Sequence, residues 1–275
     1  MNVPKKRHFG LSLHWDERLR QEQYAYCLEN QFAIEIRSFA WPDLWNDREQ
    51  RRALVSLYEQ ELKDVPLVRS LHGPFQDVIP HAQDRDVRRI AKGRIKEAIE
   101  IGARLGVARF IFHTGINTVV TDPNYYVDVV ERQVDFWSEI IEEFPHAIIC
   151  LENMWEPSPS LHRQIIDRIA CPRVKVCLDT GHVNVYSKVP LLQWLEELMP
   201  HLAHFHLHDN NGDVDSHLAV GTGTTPWTQF VETSLSFPED AILMLELDSL
   251  DKQRASLAFL APGKSGDRCF LDVEK

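Results

Sequence analysis

Eight short runs of β-type residues recur along the chain, each followed by a stretch with apolar residues at helical spacing, and this alternation restricts the fold more than any other feature. The runs are His8–Trp15, Phe32–Arg37, Leu67–Gly73, Arg109–Gly115, Ala147–Asn153, Val174–His182, Leu202–Asp209 and Ala241–Ser249. The helical stretches are Asp16–Asn30, Asp47–Asp64, Arg85–Leu105, Pro123–Phe144, Ser160–Ala170, Pro190–Met199, Trp227–Leu235 and Leu250–Leu260. In the third of these, Ile95, Ala98, Ile99 and Leu105 mark one apolar face. Eight βα units close into a barrel, whereas an open doubly wound sheet needs fewer units and usually a Gly-rich first turn. The first turn here, Leu11-Ser12-Leu13-His14-Trp15-Asp16, has no glycine. The expectation is an α/β chain: a single-domain (β/α)8 TIM barrel over residues 1–260, with residues 261–275, which include Pro262, Gly263 and Gly266, as an irregular C-terminal tail.

Composition narrows the surroundings. A formal charge of -11 gives an acidic surface, which disfavours broad attraction to nucleic acid or to anionic membrane. No segment approaches about 18 uninterrupted apolar residues, so no span is expected. The basic start MNVPKKRHFG runs straight into a mixed strand pattern without the apolar core of a signal peptide. Cys27, Cys150, Cys171, Cys177 and Cys269 are too few and too irregular for a disulfide framework, and no CxxC spacing occurs. Reduced thiols and a cytoplasmic location are expected.

In a barrel of this kind the reactive groups gather where strands end. The third strand ends in His72, the fourth in His113, the fifth in Glu152, the sixth in Asp179 with His182 three residues on, the seventh in His206 and the eighth in Glu246. The loop after the seventh adds Asp215 and His217. Residues two apart share a strand face, so Glu152 lines up with Cys150 and Ile148, Glu246 with Met244 and Ile242, and Asp179 with Cys177. A carboxylate facing that apolar interior costs several kcal/mol unless a cation lies near. The strand ends offer no Lys or Arg at matching positions, so bound metal is the simplest compensation, and mixed nitrogen and oxygen donors suit Zn, Mn or Fe.

At these positions the chain resembles the xylose isomerase-like TIM barrel superfamily, which also contains the endonuclease IV family, from about Phe9 to Leu260. The motifs are Leu71-His72-Gly73-Pro74, Phe112-His113-Thr114-Gly115, Leu151-Glu152-Asn153, Leu178-Asp179-Thr180-Gly181-His182, Phe205-His206-Leu207-His208-Asp209-Asn210, Asp215-Ser216-His217 with Gly221-Thr222-Gly223, and Leu245-Glu246-Leu247. The resemblance implies two or three divalent ions. His72, His113 and Glu152 would hold the first, Glu152, Asp179, His206 and Glu246 the second, and His182, Asp215 and His217 the third. Four carboxylates against three divalent ions leave an excess of about two positive charges, suited to a phosphate or an enediolate.

Single features have plainer readings. A lone strand-end His is more often a core or surface residue than a ligand, and Gly221-x-Gly223 reads as a turn rather than a phosphate loop. His204, His208 and His14 read as packing or supporting residues, with His208 also a candidate substrate contact. Arg37, at the end of the second strand, fits either a substrate anion or an ordinary ion pair. Trp155, Glu156 and Trp41 stand in loops at the mouth, Trp155 as a candidate substrate contact.

Two enzyme classes fit. In an isomerase or epimerase of a sugar or sugar phosphate, Glu152 and Glu246 would remove and return a proton beside a carbonyl, and the motif forms look most like the sugar phosphate isomerases/epimerases. The departure is Asp215 and His217 in the loop where mononuclear members usually carry an Arg. An endonuclease IV-like phosphoester hydrolase accounts for all nine ligands, but the loops 73–81 and 209–225 hold no Lys or Arg, so DNA is disfavoured and a small substrate is expected. The third reading is a metal-binding partner protein without turnover.

Overall fold

The computed structural model describes residues 8–63 and 65–260. Eight strands form a closed parallel barrel in chain order: β1 (His8–Leu13), β2 (Ala33–Ile36), β3 (Arg69–His72), β4 (Arg109–His113), β5 (Ile148–Glu152), β6 (Val174–Asp179), β7 (Leu202–Leu207) and β8 (Ile242–Leu245). The expected eight-unit barrel is therefore the observed one, each strand being shorter than its sequence run because the flanking residues turn out into loops. The irregular tail expected at 261–275 lies outside the described residues, as do Asp64 and Cys269.

The helices are α1 (Glu17–Asn30), α2 (Pro42–Asn46), α3 (Arg48–Glu61), α4 (Arg85–Arg104), α5 (Pro123–Glu143), α6 (Ser160–Ile169), α7 (Thr180–Tyr186), α8 (Leu191–Leu198), α9 (Trp227–Ser234) and α10 (Leu250–Leu260). Asp16, Asp47, Asp84 and Asp122 stand one residue before α1, α3, α4 and α5, and each carboxylate accepts a backbone N–H of the first turn. Two short helices were not expected. α2 begins at Pro42, whose fixed φ and missing N–H suit a first helical position. α7 shortens the sixth strand: Asp179 ends it and caps the helix by accepting from His182 N at 2.7 Å, so His182 sits on a first helical turn rather than on the strand.

Two cores result. The large one lies between strands and helices and contains Trp137, Trp194, Tyr58, Phe110 and Phe205, all buried. Inside the barrel the packing is smaller: Ile111, Cys150, Cys177 and Ala203 form one patch, and Ala33, Ile242 and Met244 another. These are the apolar partners expected beneath Glu152, Asp179 and Glu246. The expectation of an apolar interior fails on the β2, β3 and β7 side, where Glu35, Ser70 and His204 are fully buried. Among the described residues the cysteines Cys27, Cys150, Cys171 and Cys177 are free, and no helix is long and apolar enough to cross a membrane. Register then sets the site, placing His113 beside Glu152 and Asp179 beside His206.

Candidate metal centre

The strand-end residues converge. His72 Nε2 and His113 Nε2 each lie 3.2 Å from Glu152 Oε2. His206 Nδ1 lies 2.9 Å from Glu152 Oε1, 3.3 Å from Glu246 Oε2 and 3.9 Å from Asp179 Oδ2. His182 Nε2 and His217 Nε2 lie 3.2 and 3.3 Å from Asp215 Oδ2. Two of the expected groups thus gather within the span of one ion, His72 with His113 and Glu152, and Glu152 with Asp179, His206 and Glu246. The third does not gather as expected, because both imidazoles reach Asp215 but His182 groups with Asp179 and His208, and His217 with His208 and Glu246.

Two observations show that these residues fit metal ions. The first is distance: donors bound at about 2.0–2.2 Å around a tetrahedral ion stand about 3.3–3.6 Å apart, close to most of these separations. Glu152 Oε2, though buried and 3.2 Å from two imidazole nitrogens, makes no properly aligned hydrogen bond. That is the geometry of atoms arranged around a common point. The second is the far side of each ring. His72 Nδ1 donates to Gly73 O at 2.9 Å, His182 Nδ1 to Asn153 O at 2.8 Å and His217 Nδ1 to Glu246 O at 2.8 Å. These tautomers follow from the acceptors, since a carbonyl can only receive. Each ring therefore turns its lone pair toward the carboxylates, where a neutral imidazole is repelled unless a cation intervenes.

His206 is held differently, by a residue that the sequence reading missed. Its Nε2 faces Glu35, 3.1 Å from Oε1 and 3.2 Å from Oε2. Ser70 Oγ donates to Glu35 at 3.2 Å, and His204 Nε2 lies 3.0 Å from the same carboxylate. Glu35 was legible in principle: it shares a strand face with Arg37, one layer below the mouth. Arg37 itself corrects the expectation that no strand-end guanidinium reaches the acids, because its Nη1 sits 3.1 Å from Glu246 Oε1.

The loop carrying Asp215 and His217 is fastened by Asp209. Its carboxylate accepts from Asn210 N, Thr225 N, Gly221 N, Gly223 N and Trp227 Nε1 at 2.8–3.1 Å. The Gly221-x-Gly223 turn thus binds an internal anion. A Cβ on Gly223 would lie 2.1 Å from Asn210 O, so that close approach requires glycine. Asn153 ties β5 to β6, its amide bonding Asp179 O and Asp179 N at 3.1 and 2.9 Å.

His208 is fully buried, 3.0 Å from Asp179 Oδ2 and stacked on His217 with ring centroids 3.9 Å apart, behind the ligand carboxylates rather than at the open mouth. It also lies within ligand range of Asp179 and His182. His14 is a packing residue, accepting from Asp16 N. Glu156 is buried and takes Thr114 Oγ1 and Met154 N. Trp155 and Trp41 are exposed at the rim.

Without ions, protons do the compensating. Burial pulls His182 down, but Asp179 and Asp215 outweigh it and hold it at about 10. His217 is likewise pulled down by burial and raised by Asp215 and Glu246 to about 9. Burial wins at His113, which falls to about 4. Burial raises Glu246, yet His206, His217 and Arg37 bring it to about 2.

A model for the family described as xylose isomerase-like TIM barrel matches residues 33–262. An uncharacterized protein of Methanocaldococcus jannaschii, MJ1311, is 27% identical over 201 residues, 69% of this chain and 68% of its own length. A solved D-tagatose 3-epimerase-like protein superposes with a TM-score of 0.73 at 25% identity, covering 92% of this chain and 95% of that one. The TTHB071 protein from Thermus thermophilus, soaked with ZnCl2, gives 0.71 at 22% identity over 91% and 95%.

Two outcomes follow. For chelator-treated protein, the raised His182 and His217 contribute stability that is full below 6.5 and lost as pH climbs through about 9 and 10. The depressed Glu246 contributes stability present above 4.5 and lost as pH falls through about 2. Thermal melting against pH should therefore peak between those limits; a flat melting temperature from neutral to alkaline pH contradicts this account. Asp209→Asn should cost about 2–4 kcal/mol, since charge-assisted bonds are lost and an amide N–H₂ meets N–H donors. Urea unfolding measures this, and a change within error would show that the loop is held by other contacts.

Proposed function

The chain belongs to the xylose isomerase-like TIM barrel family, and from that premise we propose that it is a divalent-metal-dependent isomerase or epimerase of a sugar or sugar phosphate. The observation that carries this reading is the pair Glu152 and Glu246: their carboxylates face one imidazole nitrogen, His206 Nδ1, at 2.9 and 3.3 Å. Two acids set about a single point can take a proton from one carbon and return it to the same or the adjacent carbon. The likeness to a D-tagatose 3-epimerase-like protein supports the same class of chemistry.

His72, His113, Glu152, Asp179, His182, His206, Asp215, His217 and Glu246 would hold two or three ions, with Zn, Mn or Fe matching the donor set. Such ions, when bound, supply Lewis acidity toward the sugar oxygens. The chain's own residues do the rest. Glu152 and Glu246 act as base and acid, Arg37 steadies Glu246, and Glu35 fixes the ring of His206 so that Nδ1 keeps its lone pair toward the acids. Trp155 remains a candidate substrate contact from the rim, whereas the fully buried His208 braces Asp179 instead of meeting substrate.

One observation favours a second reading. His182 and His217 both reach Asp215, and these three residues are the additional ligand types that an endonuclease IV-like phosphoester hydrolase would need. The substrate would still be small, since loops 73–81 and 209–225 carry no cationic side chain for a DNA backbone.

Incubation of metal-loaded protein with a panel of sugars and sugar phosphates in heavy water separates these. Solvent deuterium in recovered sugar is the expected result; phosphate release instead establishes hydrolysis, and neither across the panel supports a non-catalytic metal-binding role. Glu152→Gln and Glu246→Gln should each lower exchange by about 10²–10⁴-fold. Glu152→Gln should also lose at least one equivalent of ion by elemental analysis, and an unchanged metal content refutes its shared position. Glu35→Gln should weaken metal affinity by about 10–100-fold, read by chelator competition. An unaltered affinity would remove Glu35 from the ligand support.

A further inference from the structure

Beside the ligand cluster lies a groove that the proton-transfer chemistry leaves unused. It has a volume of about 670 Å³ and is walled by Ile116, Val119, Tyr126, Trp155, Tyr186 and Lys188, from the loops after β4 and β5, the first part of α5 and the end of α7. It borders the cluster: Gly115, Ile116 and Trp155 also line a smaller cleft, of about 20 Å³, whose wall includes His113 and Phe75. The Phe75 ring stands 5.0 Å from that of His113, and the Tyr186 ring 6.2 Å from that of His182. The groove therefore adjoins the cluster on the side of Trp155 and Tyr186.

The lining has an uneven chemistry. Val119, Trp155 and Tyr186 are 86%, 45% and 36% exposed, an apolar concentration that water disfavours and a ligand's carbon skeleton would cover. Against this neutral wall Lys188 is the single charged lining side chain, and it makes no ion pair with another described residue. Most cations elsewhere on the helices are paired, as Lys92 with Glu139, Lys96 with Glu143 and Lys252 with Asp248 illustrate. On a chain of net charge -11, an ammonium without an ion-pair partner in the wall of an aromatic groove is available to an anion that a ligand brings in. A groove of this volume falls in the range of small-molecule sites, which combine apolar walls with a few orienting polar groups.

We propose that this groove is the subsite for the tail of the substrate, and that Lys188 selects a sugar carrying a terminal phosphate monoester. The carbon chain lies against Trp155 and Tyr126, and the phosphate meets the Lys188 ammonium while the reacting end remains at the cluster. This rests on the cluster being the reacting site, and it adds a substrate class and a selecting residue to that reading.

Calorimetric titration of the metal-loaded protein with D-ribulose 5-phosphate and with D-ribulose tests it. The phosphorylated sugar should bind about tenfold tighter or more, as a charge-assisted contact allows. Lys188→Gln should bring its affinity down to about that of the neutral sugar, and Lys188→Arg should keep the gap. Lys188 is exposed, so neither variant threatens the fold. Equal affinities in the unaltered protein overturn the proposal, as does a gap that survives Lys188→Gln, which would place the phosphate on the ions. Binding of neither sugar overturns it too. The heavy-water assay reads the reacting site separately. A Lys188-dependent preference without proton exchange sustains the subsite and removes the isomerase reading. Exchange on both sugars with no effect of Lys188→Gln on either affinity removes the subsite alone.

Discussion

Five carboxylates packed at one end of a closed barrel are the constraint from which the rest of this structure follows. Glu35, Glu152 and Asp179 are 0–1% exposed and Glu246 is 7% exposed, so water cannot supply their solvation. Each such ion costs several kcal/mol unless a cation and hydrogen bonds replace its hydration. The imidazoles of His72, His113, His182, His206 and His217 surround them at 2.9–3.9 Å, and these rings are oriented from behind. Backbone carbonyls of Gly73, Asn153 and Glu246 hold three of them and Glu35 holds a fourth. Local structure serves the same need: Asp179 both ends β6 and starts α7, and the Asp209 carboxylate organises the loop that brings Asp215 and His217 across the mouth.

The barrel and the convergence of its strand-end acids and imidazoles were legible because they rest on short-range regularities. Strand runs, Asp residues before helices and alternation within strands are local signals, and they placed Glu152 over Cys150 and Glu246 over Met244 correctly. The missed features depend on contacts distant in sequence. Glu35 acquires its role only when β2 and β7 face each other through the barrel, and Arg37 reaches Glu246 across a separation of 209 residues. Asp209 lies within the motif that ends the seventh strand, yet its function as the anchor of a turn is a property of the folded loop. His182 is the intermediate case: its spacing from Asp179 is a local signal, but the helical turn that this spacing creates belongs to the folded chain.

The asymmetry of the barrel interior divides labour at the mouth. Beneath Glu152 and Glu246 the layer is apolar, formed by Ile148, Cys150, Ile242 and Met244, so these two acids have no polar support from below and face the opening. Beneath His206 the layer is polar, with Glu35, Ser70 and His204 forming a support that reaches down into the barrel. One side thus fixes a ring and the other leaves two carboxylates facing the opening. A uniformly apolar interior would leave His206 free to present either nitrogen, and the common point between Glu152 and Glu246 would be lost.

Charge balance links the cluster to the groove beside it. Counting Glu35, Glu152, Asp179, Asp215 and Glu246 against Arg37 leaves a deficit of about four charges, which three divalent ions turn into an excess of about two and a single ion leaves at about minus two. Adding Glu35 and Arg37 to the sequence-based count therefore changes nothing in the fully loaded total, because the extra acid and the extra base cancel. Occupancy alone decides whether the mouth attracts or repels an anion. Lys188 stands outside this balance: it is paired with none of these acids, so its charge is the same whichever ions are bound. An anionic tail held there would keep a substrate at the mouth even when partial loading makes the reacting end repulsive, and selection of the substrate would be separated in space from the metal-dependent step.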